Sequence, residues 1–219
     1  MATDQKPRTP WLLVALALIV VGGVYLVYDE GRFGQMRDLD YWASTPLTRQ
    51  EIEQRLTDES ADSESVCHAL IQLERQASST NAEALIDIPP LLSPVFVRGD
   101  DRVRQLCVFA ARAFRGTAIH GFLVAALEDE VVSVRLEAAV GLAALRDERA
   151  APLLADAIDA VRPDHVHRRR ELLRAYSLVA VLVHKPRIME WLRVAQIDDD
   201  SEAVTFCNAA LAHLDQTNR

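Results

Sequence analysis

The chain has 219 residues, half of them hydrophobic and 26% charged, with a formal net charge of −8. That is enough apolar material for one substantial core or a short array of repeats, and the acidic balance argues against a nucleic-acid partner, whose phosphates it would repel. Cys67, Cys107 and Cys207 stand in apolar stretches without C-x-x-C spacing, which speaks against a zinc site and for small buried thiols; a Cys67–Cys107 bridge stays open because the two lie about one repeat apart.

The first element is an uncharged run from Trp11 to Tyr28. At about 1.5 Å per residue it extends roughly 27 Å, close to the hydrocarbon thickness of a bilayer, so the sequence predicts one transmembrane helix over residues 11–28. Trp11, Tyr25 and Tyr28 fall where aromatic rings prefer the headgroup boundary. Lys6 and Arg8 precede the run, and Asp29 and Glu30 follow it. This asymmetry makes residues 1–10 a cytoplasmic tail and, in a bacterium, places the remainder in the periplasm, as in a single-pass inner-membrane protein. The alternative is a cleaved signal peptide releasing a secreted ligand-binding module, but the run is long for an h-region and no Ala-x-Ala site follows promptly.

Residues 29–47 mix charge, glycine and aromatics without a sustained period and read as a linker. Thr48 and Glu51 have capping-box spacing, so ordered helix is expected to begin there. Apolar residues then recur at helical spacing in segments near 49–57, 63–77, 82–97, 101–115, 117–128, 130–146, 148–161, 165–184, 186–197 and 201–214. Pro89, Pro90 and Pro94 interrupt the third of these. No stretch alternates as a sheet strand does.

The helices repeat. Asp129 opens a segment carrying Val134 and Arg135; Asp164 stands 35 residues on, with Arg170 near the equivalent of Arg135, and Asp199 another 35 residues later. Val103-Arg104 lies 31 residues before Val134-Arg135. A fixed period implies stacked copies, each helix pair too small to bury its apolar surface alone. Ala138, Ala139, Gly141 and Ala143 are small enough to let helices approach closely, and the Asp and Arg positions read as caps and inter-copy ties.

The run from Val134-Arg135-Leu136-Glu137-Ala138-Ala139 to Ala151-Pro152-Leu153-Leu154 resembles the short HEAT-type repeat also found in bilin lyases. The resemblance covers residues 100–214, which assigns 100–219 to HEAT-type repeats, with 48–99 joined to the array by helix pattern alone as irregular amino-terminal helices. It implies an all-α fold, a short right-handed α-solenoid of stacked antiparallel helix pairs preceded by the transmembrane helix. A tetratricopeptide array has a similar period, but its Trp, Gly, Tyr and Pro anchors are missing in order.

The sharpest local anomaly is Arg162-Pro-Asp-His-Val-His-Arg168-Arg169-Arg170, with Arg174 following, in an otherwise acidic chain. Arg162, Arg168, Arg169 and Arg174 form a candidate partner-binding patch; the competing reading is a solvated helix start with one structural arginine. A stripe of Leu172, Tyr176, Val179 and Val183 is expected to face the core. Trp191 is a core residue or part of a binding groove. His165 and His167, two apart, point in different directions on a helix and do not suit a metal. No catalytic motif and no cofactor signature stands out. The expected function is a non-enzymatic, membrane-anchored scaffold or assembly factor that binds a protein partner in or at the membrane, the bilayer engaged through 11–28. The resemblance carries an alternative, a bilin-lyase-like enzyme.

Overall fold

The computed structural model describes residues 41–42, 44–79, 89–162 and 165–217, and the predicted tail, the membrane helix at 11–28, most of the linker and Asp164 lie outside them. The chain divides into two compact units, residues 1–46 and 47–219. In the first, Tyr41, Trp42 and Ser44 have helical backbone and the Thr45 amide donates to the Tyr41 carbonyl at 3.0 Å.

The second unit is all-α among the described residues. Its ten helices are α1 (Arg49–Thr57), α2 (Ser63–Ser79), α3 (Pro89–Arg98), α4 (Asp101–Ala111), α5 (Thr117–Ala126), α6 (Val132–Ala144), α7 (Ala151–Ala160), α8 (Val166–Tyr176), α9 (Lys185–Ile197) and α10 (Ser201–Thr217). Short 3₁₀ turns at Glu148–Ala150 and Leu182–His184 lead into α7 and α9. Consecutive helices pack as pairs, α1 on α2, α3 on α4, α5 on α6, α7 on α8 and α9 on α10. The second helices of the pairs lie against one another in chain order, α2 on α4, α4 on α6, α6 on α8 and α8 on α10.

Local chemistry sets the helix starts. The Thr48 hydroxyl caps α1, and the Glu51 carboxylate accepts from the Thr48 amide at 2.7 Å, closing the capping box. Asp62 and Asp100 accept from the Ser65 and Val103 amides at 2.7 and 2.9 Å at the starts of α2 and α4. Of the segment expected at 82–97 with breaks at its prolines, residues 82–88 lie outside the described residues; Pro89 and Pro90 begin α3, where a missing amide proton costs nothing, and the helix continues through Pro94 with Leu92 and Val95 fully buried.

The predicted 165–184 helix is instead two elements. α8 stops at Tyr176, the Ser177 hydroxyl donates to the Arg174 carbonyl at 2.7 Å, and the chain reaches the 182–184 turn. Ser177 competes for helix backbone, and β-branched Val179, Val181 and Val183 gain little from it. Leu172, Tyr176 and Val179 are buried as expected, but Val183, beyond the break, is 78% exposed.

Small residues give α6 a closely packed face. Ala138, Ala139, Leu142 and Ala143 are completely buried, and a methyl group on Gly141 would come within 3.0 Å of Arg112 Cγ and Leu123 Cδ1. The absent side chain sets how near α5 and the end of α4 approach α6. Cys67, Cys107 and Cys207 are free and buried; burial raises the Cys67 and Cys207 thiols to about 11 and Cys107 further.

Candidate partner-binding face

The row of second helices carries a closed ring of charge. Arg112, just past the end of α4, donates from Nη1 to Glu137 of α6 and from Nη2 to Glu171 of α8 at 3.2 Å. Arg168 completes it, 2.5 Å from Glu171 and 3.3 Å from Glu137. Glu137 is only 6% exposed, so both of its neighbours are needed to compensate a carboxylate in the protein interior. Burial opposes ionisation of Glu171, but Arg168 and Arg112 outweigh it and hold the carboxyl below its usual value. Burial likewise works against the Arg168 cation, and Glu137 and Glu171 reverse the effect.

Beside this ring lies a shallow depression of about 290 Å³. Phe109, Ala113, Val140, Ala144, Ala175 and Leu178 give it an apolar floor; Glu74 and Ser78 of α2 stand at one side, Arg112, Glu171 and Arg174 at the other. The Arg112 guanidinium lies over the Phe109 ring, 5.3 Å from its centroid, which fixes the ring's half-exposed face. Arg174 is exposed and makes no ion pair among the described residues. Glu74 accepts from the Ser78 hydroxyl at 2.8 Å and has no ion pair among them either.

The arginines singled out in the sequence therefore separate. Arg168 belongs to the ring. Arg169 has 16% of its side-chain surface exposed and lies 3.8 Å from Asp198, and Arg170 binds Asp200 at 2.9 Å and Glu202 at 3.4 Å, tying α8 to α10. Arg162 is exposed just past α7. Arg174 alone of this group reaches the depression. Trp191 is away from it: 5% exposed, edge-on to Tyr176 at 5.2 Å, its indole N–H donating to Asp159 at 2.6 Å. Arg187 flanks the indole ring at 5.8 Å and also binds Asp159 at 2.6 Å. Trp191 thus anchors α9 to α7.

Among the repeat-signature residues, Val134 is fully buried. Asp129 does not cap α6 directly; its Oδ1 accepts from the Val131 amide at 2.8 Å and its Oδ2 lies 3.1 Å from Arg104 of α4. Arg135 donates to the backbone carbonyls of Asp129 and Glu130 at 2.8 and 2.9 Å, within its own loop. The expected role of Asp199 passes to its neighbour. Asp199 is the left-handed residue of a Schellman turn, with φ of 54°, and Asp200 accepts from the Ala203 amide at 3.0 Å while binding Arg170. Burial opposes charge on Asp200, and the Arg170 and Ala203 hydrogen bonds overcome it, lowering its pKa.

Sequence reasoning missed Arg112, Glu137 and Glu171. A signal existed for Glu137: it follows Val134 by three residues and precedes Gly141 by four, in phase with the buried stripe of α6, where a carboxylate demands partners.

No group of metal-ligating side chains occurs among the described residues, and none of their helices is long and apolar enough to cross a membrane. Comparison with family models, curated proteins and solved structures gives no match.

Proposed function

We propose that the protein is a membrane-anchored scaffold: a short right-handed α-solenoid of HEAT-type repeats, held at the bilayer by residues 11–28, that binds another protein of a membrane or envelope complex. The observation that carries this reading is the ordered row of second helices, α2 to α10, each packed on the next, with side chains from α2, α4, α6 and α8 lining one depression. An array of this kind offers an extended binding surface. The uncharged Trp11–Tyr28 run supports the anchor, and confinement to a membrane raises effective concentration so that a weak interface suffices. The lysine- and arginine-bearing amino end favours a periplasmic location for the helical unit.

The test is affinity co-purification of the full-length, tagged chain from detergent-solubilised native membranes, beside a version lacking residues 1–28. The expected result is a stoichiometric partner with the full chain and its loss or marked depletion without the anchor. Recovery of the full chain alone overturns the scaffold reading; recovery of the truncated chain in the soluble fraction with the same partner overturns the anchoring requirement.

A further inference from the structure

The geometry points to the depression beside the charge ring as the docking site for a polarised segment of a protein partner, one whose apolar side chains are bracketed by a carboxylate and a cation. This rests on the scaffold reading above and specifies where and by what chemistry the partner is held.

The argument is one of leftover charge. Arg112, Glu137, Arg168 and Glu171 neutralise one another within the ring. Two charges bordering the depression stay outside that exchange, Glu74 on α2 and Arg174 on α8, and neither has an ion pair among the described residues. The depression is therefore negative on its α2 side and positive on its α8 side, with a floor of Phe109, Val140 and Leu178 between. A purely apolar occupant would leave both charges facing low-dielectric material, and a uniformly acidic or basic one would be repelled at one side. A segment carrying a carboxylate toward Arg174 and a Lys or Arg toward Glu74 satisfies both and docks in one direction only. Complementary charge at the rim sets register and selectivity, while the apolar floor supplies contact area.

The experiment places the photo-reactive residue p-benzoylphenylalanine at exposed Ala144, on the floor of the depression, in the full-length chain in native membranes. After irradiation the complex is purified and the cross-linked peptide sequenced. The expected peptide comes from the co-purifying partner and carries an acidic and a basic residue flanking apolar ones. Arg174→Glu and Glu74→Lys should each lower the cross-link yield roughly tenfold at limiting partner. Reversing the partner's acidic residue to lysine should restore yield with Arg174→Glu and not with Glu74→Lys. Because neither side chain holds an ion pair, thermal melts of the two variants should match the parent and exclude misfolding.

A partner that co-purifies but gives no cross-link from Ala144, or yields insensitive to both charge reversals, overturns the docking site and leaves the scaffold reading standing. Cross-links solely to lipid or to a second copy of this chain overturn the assigned occupant. Absence of any co-purifying partner overturns both readings.

Discussion

At the scale of single residues, two positions carry backbone strain, and His184 contributes to the pH dependence of stability. Arg146 and Asp199 both have left-handed backbone, with φ of 63° and 54°, immediately after α6 and α9. The next amides, of Asp147 and Asp200, reach back to the Leu142 and Ala195 carbonyls at 3.0 and 2.9 Å, the six-to-one bond of a Schellman turn. Glycine occupies such positions without steric penalty, so Arg146→Gly should raise stability by about 0.5–1 kcal/mol, or about 1–4 °C in melting temperature, measured by circular dichroism. Asp199→Gly should gain less, because Asp tolerates this conformation better than Arg. His184 accepts or donates at Nδ1 opposite the buried Tyr176 hydroxyl at 2.9 Å. Burial, then the Arg187 charge, lowers its pKa from 6.5, against the opposing pull of Asp156 and Asp159. The folded state thus prefers the neutral imidazole: this contribution is fully present above pH about 6.5 and is lost as the pH falls below it. Denaturant midpoints at pH 7.5 and 5.5 should show that loss in the parent and a smaller one in His184→Asn; an equal loss in both would assign the dependence to other groups.

Helices are tied to one another by charge placed at their ends. The Arg112–Glu137–Arg168–Glu171 ring joins the end of α4 to α6 and α8, and Asp200 joins α8 to α10 while capping the latter. Ser63 of α2 similarly donates to Asp100, the cap of α4, at 2.9 Å. Removing one member of a buried ion pair costs about 3–5 kcal/mol because it strands the other charge. Arg168 keeps 33% of its side-chain surface in water, which screens the stranded charge. Glu137→Gln should therefore destabilise by about 2–3 kcal/mol, read from urea unfolding, and a loss under about 0.5 kcal/mol would show that the ring adds little. Replacing Glu137 and Arg168 together should cost less than the sum of the single changes, since neither charge then remains to be compensated.

On the scale of the whole helical unit, the extensive contacts run between neighbouring helix pairs, so each pair depends on those beside it. A terminal pair has a neighbour on one side, and an internal pair on both. Native-state hydrogen exchange should accordingly find α9 and α10 opening at lower free energy than α4 and α6, with α6 near the global unfolding value. Uniform protection across all pairs would mean that the unit unfolds as one cooperative block.

Helix content and the Thr48 cap were legible because each depends on residues within a turn or two of one another, and the buried thiols and small residues of α6 because the apolar stripe marks which side of a helix faces inward; that Gly141 meets Arg112 and Leu123 was not. The break after Tyr176 was not, since an apolar run looks alike whether it continues a helix or enters a buried turn. The arginine cluster shows the same boundary. Its charge is plain in the sequence, but Arg168 finds Glu137 31 residues away and Arg170 finds Asp200 30 residues away, while Arg174 meets none. Local periodicity determined that the chain forms short helices with one apolar face. Only the tertiary structure decided which charges neutralise one another and which remain beside the depression, because that depends on how helices from different pairs are laid side by side.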